Sequence, residues 1–271
     1  MTIHELQSLV SQAKAQFIET YPDSATLIQD TDVHILSKKD RTAKRQQIFD
    51  YCKAQFREDK PNEGEGIIGE THTAVILYAH TFKSPTHFKH VLLHELGHVY
   101  SLSRIKELFD ESEADTLANR DTLIRNGMCF WSEFIAEAIA YIADDTDSSS
   151  PAWHEIARME QLIDEALYSG YLDPYSLAFY MAMSFENPSI ITWSEAHGNQ
   201  IPLSDRCDDE AISLIITLSN VLGKQWEKDD YIQIDRATLE SIGQCVEDLW
   251  DYCSRREGMA RLRAILGDIP N

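Results

Sequence analysis

The residues best suited to chemistry in this sequence are grouped in the segment HELGH, residues 94–98. His94 and His98 are four residues apart, so on a helix their rings project from one face and can share a metal ion. Glu95 lies about 100° around the helix from His94, which suits a group beside a metal-coordinated water. We therefore predict that the histidines bind Zn²⁺, which activates the water, and that Glu95 is the general base that takes its proton.

A catalytic zinc ion usually has three protein ligands and one position left for water, so a third ligand is needed downstream. We favour Glu133, because it lies in a strongly apolar helical segment where a carboxylate is costly without a cation or a hydrogen-bond partner. Glu137, one turn later, can hydrogen-bond a ligand histidine and fix its tautomer. The alternative third ligand is Glu113, in the segment DESEADTLAN.

His90 precedes His94 by one turn and extends the histidines to a ladder of three. A helix rotates by about 40° over each step of four residues, so His90 and His98 diverge by about 80°. One ion is not expected to bind all three rings. We predict that His90 supports the site or faces solvent.

The motif lies in a predicted helix that begins at the N-cap and first-turn pair Ser84 and Pro85 and continues to about Ser103. The elements predicted before it are a helix at 3–19, a strand near 31–37, a helix at 42–56, and a hairpin or edge strand at Thr73–Tyr78.

After the motif the sequence is almost entirely helical in its apolar spacing. Helices are predicted at 107–125 and 130–145, with Gly127 near the break between them, and further helices follow at 153–170, 174–185, 208–223 and 236–256. The polar, serine-rich stretch 144–151 predicts a linker. We expect a predominantly helical α+β protein, with a metal-binding catalytic domain at 1–147 and a helical C-terminal domain or extension at 148–271.

The chain is strongly acidic, with 45 acidic and 24 basic residues and a formal charge of −21. Such a charge repels nucleic-acid backbones and anionic membrane surfaces, so we predict no direct binding to either. The excess favours solubility, and it would also attract a basic protein partner.

The cellular location is predicted from the N-terminus and the cysteines. The first 17 residues are amphipathic and have neither the basic start nor the apolar run of a signal peptide. No apolar run reaches the roughly 18 residues that span a bilayer. The five cysteines form no Cys-x-x-Cys pair, which is typical of reduced thiols, so we predict a cytoplasmic protein without disulfides.

Residues 94–98 resemble the zincin metallopeptidases, and the helix with Glu133 and Glu137 is similar to the glutamate helix of the gluzincin branch. That resemblance implies that Glu133 ligates zinc and that Glu137 supports a ligand histidine. Gluzincins usually have Asn before the glutamate ligand, and Ser132 stands there in this chain. The H-x-x-G-x-x-H continuation of the metzincins is missing.

A second resemblance leads to another ligand. The segment EADTLA at 113–118 is similar to the segment after HELGH in ImmA/IrrE-type proteins, which include intracellular proteases, and this match implies Glu113 as the ligand. Neither resemblance covers the helical second half.

The sequence thus predicts a zincin-like domain and a zinc-dependent metallopeptidase that acts on a peptide or protein substrate. In zincins an edge strand before the metal helix usually pairs with the substrate, and Thr73–Tyr78 occupies that place in the sequence. A plain core strand is the alternative for this segment. The alternative function is an acidic helical binding or regulatory protein in which zinc is structural.

Overall fold

The computed structural model describes residues 3–38, 41–56, 63–108, 122–143, 152–198 and 200–266. Within these residues the chain forms ten α-helices, a short 3-10 turn and three strands, so it is mostly helical with a small sheet, as predicted. The helices and strands are, in order, α1 (Ile3–Thr20), the 3-10 turn (Pro22–Ser24), α2 (Ala25–Asp30), β1 (Asp32–Leu36), α3 (Arg41–Cys52), β2 (Gly64–Ile68), β3 (Thr73–Tyr78), α4 (Pro85–Leu108), α5 (Thr122–Ala143), α6 (Ala152–Tyr168), α7 (Pro174–Glu186), α8 (Pro188–Ala196), α9 (Asp209–Trp226) and α10 (Arg236–Leu266).

The chain divides into two compact units. The first consists of Met1–Glu107 and Ile135–Asp147, and the second consists of Leu108–Phe134 and Ser148–Asn271. One division falls at residue 147, within the predicted linker 144–151, which lies outside the described residues. Another falls inside α5, which is an unbroken helix.

The three strands of the first unit form one sheet in the order β1-β3-β2. The predicted hairpin is present, because β2 and β3 pair antiparallel. Of the two alternatives for Thr73–Tyr78, the edge strand is wrong and the core strand is confirmed, since β1 pairs in parallel along its other side. Residues Ala74 to Tyr78 are all buried, as expected for a central strand with both faces covered.

Successive side chains of a strand point to opposite faces of the sheet, so the two faces make different contacts. On one face, apolar side chains of the sheet form a core cluster with α3, namely Leu36, Ile48, Phe49, Cys52, Ile67, Ala74, Ile76 and Tyr78. Gly64 and Gly66 of β2 point to the opposite face and approach α4. The sheet therefore supports the predicted metal helix through its glycine face.

An ion pair on the α3 face fixes β2. Arg45 donates two hydrogen bonds to Glu65, at 2.6 and 2.7 Å, and the Tyr78 hydroxyl donates a third at 2.7 Å. Glu65 is the residue between Gly64 and Gly66, so this network holds the first half of the strand. Charge-assisted, two-point pairing of this kind fixes geometry as well as adding stability.

Helix α4 begins as predicted, because the Ser84 hydroxyl accepts a hydrogen bond from the His87 amide at 3.0 Å. It runs on to Leu108, five residues beyond the predicted end at Ser103. Five of its apolar side chains are fully buried, namely Phe88, Leu92, Leu93, Leu96 and Val99. A polar segment within such a helix is held in place by its apolar neighbours.

Helix α5 contradicts the prediction that a helix ends near Gly127, since it continues from Thr122 to Ala143. Gly127 instead makes a close contact with α10: a Cβ atom there would lie 2.0 Å from the Leu239 carbonyl oxygen. The reverse contact is equally close: a Cβ atom on Gly243 of α10 would lie 1.9 Å from the Leu123 carbonyl oxygen. Glycine here serves helix packing rather than helix termination.

Helix α8 was not predicted, although its N-cap is clear in the structure. The Asn187 side chain accepts from the amides of Ser189 and Ile190, and Pro188 occupies the first turn.

Two further predictions concern the cysteines and the membrane. All five cysteines are free thiols: Cys52, Cys245 and Cys253 are buried, Cys207 is half-buried and Cys129 is exposed. No helix in the described part of the chain combines the length and apolar character needed to span a membrane.

Candidate metal centre

Helix α4 presents His94, Glu95 and His98 at its middle. The rings of His94 and His98 have centroids 4.6 Å apart and lie at 87° to each other. His94 and Glu95 are buried, whereas His98 is half-buried and reaches solvent. The two imidazoles therefore lie side by side, one turn apart, as their spacing predicts.

Helix α5 presents Glu133 and Glu137 one turn apart. His94, His98 and Glu133 each offer a ligand atom, and these atoms all lie within 4.8 Å of one another. It is the single group of three or more potential ligands found among the described residues. The structure thus brings together the three residues chosen from the sequence as ligands.

Small residues allow the two helices to approach closely. A Cβ atom on Gly97 would lie 2.9 Å from the Ala136 Cα and 3.1 Å from its carbonyl oxygen. Gly97 lies between the two histidines on α4, and Ala136 lies between the two glutamates on α5. The contact between Gly97 and Ala136 therefore brings the turn with the two histidines close to the turn with the two glutamates.

Glu137 lies beside the cluster and contacts two histidine rings. Its Oε2 atom is 2.9 Å from Nδ1 of His94, and its Oε1 atom is 3.1 Å from Nε2 of His90. Burial alone would raise the pKa of Glu137, but the neighbouring His90 and His94 rings outweigh burial and hold that pKa well below its usual range. The lowered pKa favours the ionised form of the Glu137 carboxyl group.

An ionised carboxylate only accepts hydrogen bonds, so the nitrogen atoms that face Glu137 must carry the protons. With Nδ1 of His94 as the donor to Glu137, Nε2 of the neutral ring would have its lone pair available for a metal. Carboxylates commonly orient metal-binding histidines in this way.

Glu95 packs against the backbone of β2. A Cβ atom on Gly64 would lie 2.9 Å from the Glu95 carboxylate Oε1 atom and 3.0 Å from its Cγ atom. A Cβ atom on Gly66 would lie 3.2 Å from the Glu95 carbonyl oxygen and 3.4 Å from the Cβ atom of His98. The glycines leave room for Glu95 beside the two histidines, and a larger residue at 64 would displace the carboxylate.

The donor set suits zinc. Two imidazole nitrogens and one carboxylate oxygen are a usual set of protein ligands for a catalytic zinc, and ligand distances of about 2.0–2.2 Å place such atoms about 3.4 Å apart in a tetrahedron. The separations of up to 4.8 Å exceed this by an amount that small side-chain rotations can close. Calcium and magnesium fit less well, because they select oxygen ligands.

Two sequence predictions concern residues outside this triad. His90 is not part of the cluster, as the helical rotation predicts, and it contacts Glu137 instead. Glu113, the alternative third ligand, lies outside the described residues. The contacts of Gly64 and Gly66 with α4 were missed, although glycines within a strand are a known signal of close backbone approach.

Comparisons with known proteins gave no match. No family model matches the chain, and no significant match was found among curated proteins or solved structures.

Proposed function

We propose that this protein is a zinc-dependent metallopeptidase. The observation that carries the proposal is the convergence of His94, His98 and Glu133, from two helices, on a space that one ion can fill. Glu95 and Glu137 lie beside that triad in the roles that peptide hydrolysis requires. The function predicted from the HELGH segment is thus supported by residues distant from it in sequence.

The triad supports a catalytic site better than a structural one. Structural zinc ions usually have four protein ligands, whereas catalytic zinc ions have three and keep one position for water. Three candidate ligands are found in the described part of the chain. Two of them, His98 and Glu133, are half-buried, so solvent reaches this side of the cluster.

A bound zinc ion would supply a Lewis acid that polarises a carbonyl group and makes a neighbouring water more acidic. Glu95 would take the proton from the water that attacks the peptide carbonyl and later deliver it to the leaving amine. The close packing of Glu95 against Gly64 favours this role, because a general base must be held within reach of the proton that it takes. Glu137 would hold His94 with its free nitrogen toward the ion.

A peptide or protein is the proposed substrate, bound along β2. Among the described residues β2 pairs with β3 alone, so its other edge has backbone groups available for a peptide. Gly64 and Gly66 bring that strand close to Glu95. This assignment replaces the one made from sequence, since β3 is the central strand.

The experiment that tests the proposal compares the wild type with Glu95→Gln. The zinc content of both proteins is measured, and cleavage of a mixed peptide library is followed by mass spectrometry. We expect both to bind one zinc ion, and Glu95→Gln to lose at least about 100-fold in turnover, as expected for loss of a general base. Glu70→Gln is the matched control, because Glu70 is an exposed glutamate in the β2–β3 turn.

Two outcomes would contradict the proposal. Equal turnover by Glu95→Gln and wild type would reject Glu95 as the base. A wild-type protein that binds zinc but cleaves no peptide, and resists hydroxamate ligands, would support the alternative of an acidic binding protein with a structural zinc ion.

A further inference from the structure

The Glu137 carboxylate lies between two histidine rings of α4 and gives one oxygen atom to each. Oε2 pairs with Nδ1 of His94 at 2.9 Å, and Oε1 pairs with Nε2 of His90 at 3.1 Å. The Glu137 side chain is only 5% exposed, whereas that of His90 is 24% exposed. His90 is thus the more exposed of the two groups that pair in this network with the buried Glu137 and lies nearer to solvent than the Glu137–His94 pair.

A buried carboxylate is stable only if its oxygen atoms are hydrogen-bonded. Loss of the donor at Oε1 would leave that oxygen without the His90 bond, and the carboxylate could rotate about its side-chain torsions to find another partner. Such a rotation would move Oε2 away from Nδ1 of His94. The orientation of His94 therefore depends on a bond that His94 does not itself make.

The His90 ring also packs against Tyr141. The two ring centroids are 5.2 Å apart, and the ring planes are inclined at 62°. Tyr141 follows Glu137 by one turn of α5, so one helix supplies both the acceptor and the aromatic contact. This packing limits rotation of the imidazole and keeps its N–H group directed at Glu137.

We propose that His90 is a positioning residue for the metal centre and acts through Glu137 on His94. The proposal rests on the proposed zinc site. It predicts that His90 sets zinc affinity without contacting zinc. It also gives His90 a role, although the rotation of the helix keeps its ring from sharing the zinc ion with His94 and His98.

The test is a zinc titration of purified variants against a competing chelator. His90→Phe keeps a ring against Tyr141 but removes the N–H donor, and His90→Gln restores a donor. We expect His90→Phe to raise the zinc Kd about tenfold, the low end of the effect of losing an outer hydrogen bond to a ligand. His90→Gln should recover most of that loss.

His87→Phe is the matched control, since His87 lies on the same helix and its Nε2 atom contacts Glu63, 3.1 Å away, rather than Glu137. Its zinc Kd should equal that of the wild type. In cobalt-substituted protein, the visible absorption bands should shift in His90→Phe and not in His87→Phe, because only the first changes the setting of a ligand. Circular dichroism melts without metal show whether each variant is folded.

The outcomes separate this proposal from the one on which it rests. If the wild type binds no zinc, both fail. If the wild type binds zinc and His90→Phe has the same Kd and spectrum as His87→Phe, the positioning role alone is rejected. Equal weakening in His90→Phe and His90→Gln would also reject it, since packing rather than the hydrogen bond would then matter.

Discussion

Gly97 of α4 packs against Ala136 of α5, with too little space between them for one methyl group. Gly97 lies between His94 and His98, and Ala136 lies between Glu133 and Glu137. Their contact therefore sets the distance from the two histidines to Glu133. The proposed metal centre therefore depends on a residue that has no reactive side chain.

Gly97→Ala is expected to weaken zinc binding. Glycine to alanine within a helix usually gains about 1 kcal/mol of stability from helix propensity. Here the new methyl group must move the Ala136 backbone, which lies 2.9 Å from the Cβ position, and this separates the ligands. We expect a loss of about tenfold in zinc affinity, measured by competitive titration, since ligand sites tolerate displacements of only about 0.5 Å.

Gly258→Ala is the control for Gly97→Ala. Gly258 lies in α10 and has open space around its Cβ position. Zinc affinity should stay at the wild-type value. Unchanged affinity in Gly97→Ala as well would show that the helix spacing is not critical.

The third ligand is tested by Glu133→Ala and Glu113→Ala. Glu133 offers an oxygen atom to the cluster, so its loss should reduce zinc affinity by at least about 100-fold, because one of three protein ligands is removed. Glu113→Ala should bind zinc like the wild type. The opposite order in the same titration would favour the ligand set of the ImmA/IrrE-type proteins.

Gly64→Ala is expected to reduce turnover while zinc is retained. The added methyl group would lie 2.9 Å from the Glu95 carboxylate. The strand cannot easily retreat, because Glu65 is held by Arg45 and Tyr78. Displacement of the base should therefore lower kcat about tenfold or more in peptide cleavage assays.

Gly66→Ala is the comparison for Gly64→Ala. Its methyl group would meet the helix backbone at 3.2 Å and not the Glu95 carboxylate, so its kcat should fall less. A larger effect at 66 than at 64 would contradict the proposed contact between Gly64 and the base.

Gly127→Ala and Gly243→Ala should each destabilise the second unit. Either methyl group would lie 2.0 Å or less from a carbonyl oxygen of the facing helix, so the helices must separate. We expect each to lower the free energy of unfolding by about 3 kcal/mol, the usual upper range for overpacking. Gly258→Ala, on the same helix as Gly243, should be neutral or slightly stabilising in the same urea titrations.

The sequence predicted the features that depend on local spacing. The paired histidines, Glu95 beside them and the glutamates one turn apart on α5 all follow from helical periodicity. The start of α4 at Ser84 and Pro85 follows from capping chemistry. These residues were placed correctly on their elements because a helix fixes the directions of its own side chains.

The features that the sequence did not predict depend on contacts between distant segments. Glycine is typical of a helix end, yet Gly127 lies within α5 and packs against α10 near Gly243. Gly64 and Gly66 look like turn residues, yet the pairing of β2 with β3 places them in a strand. Strand order likewise depends on where β1 docks, so the sequence could not decide between an edge strand and a core strand for Thr73–Tyr78.

Cys129 lies one turn before Glu133 on α5, and it is the most accessible of the five thiols. Burial raises the pKa of Cys207, Cys245 and Cys253, so those thiols are slow nucleophiles as well as less accessible. A thiol-specific fluorophore added in limiting amount would thus label chiefly Cys129. The chain carries a natural attachment point for a reporter on the helix that carries the proposed carboxylate ligand.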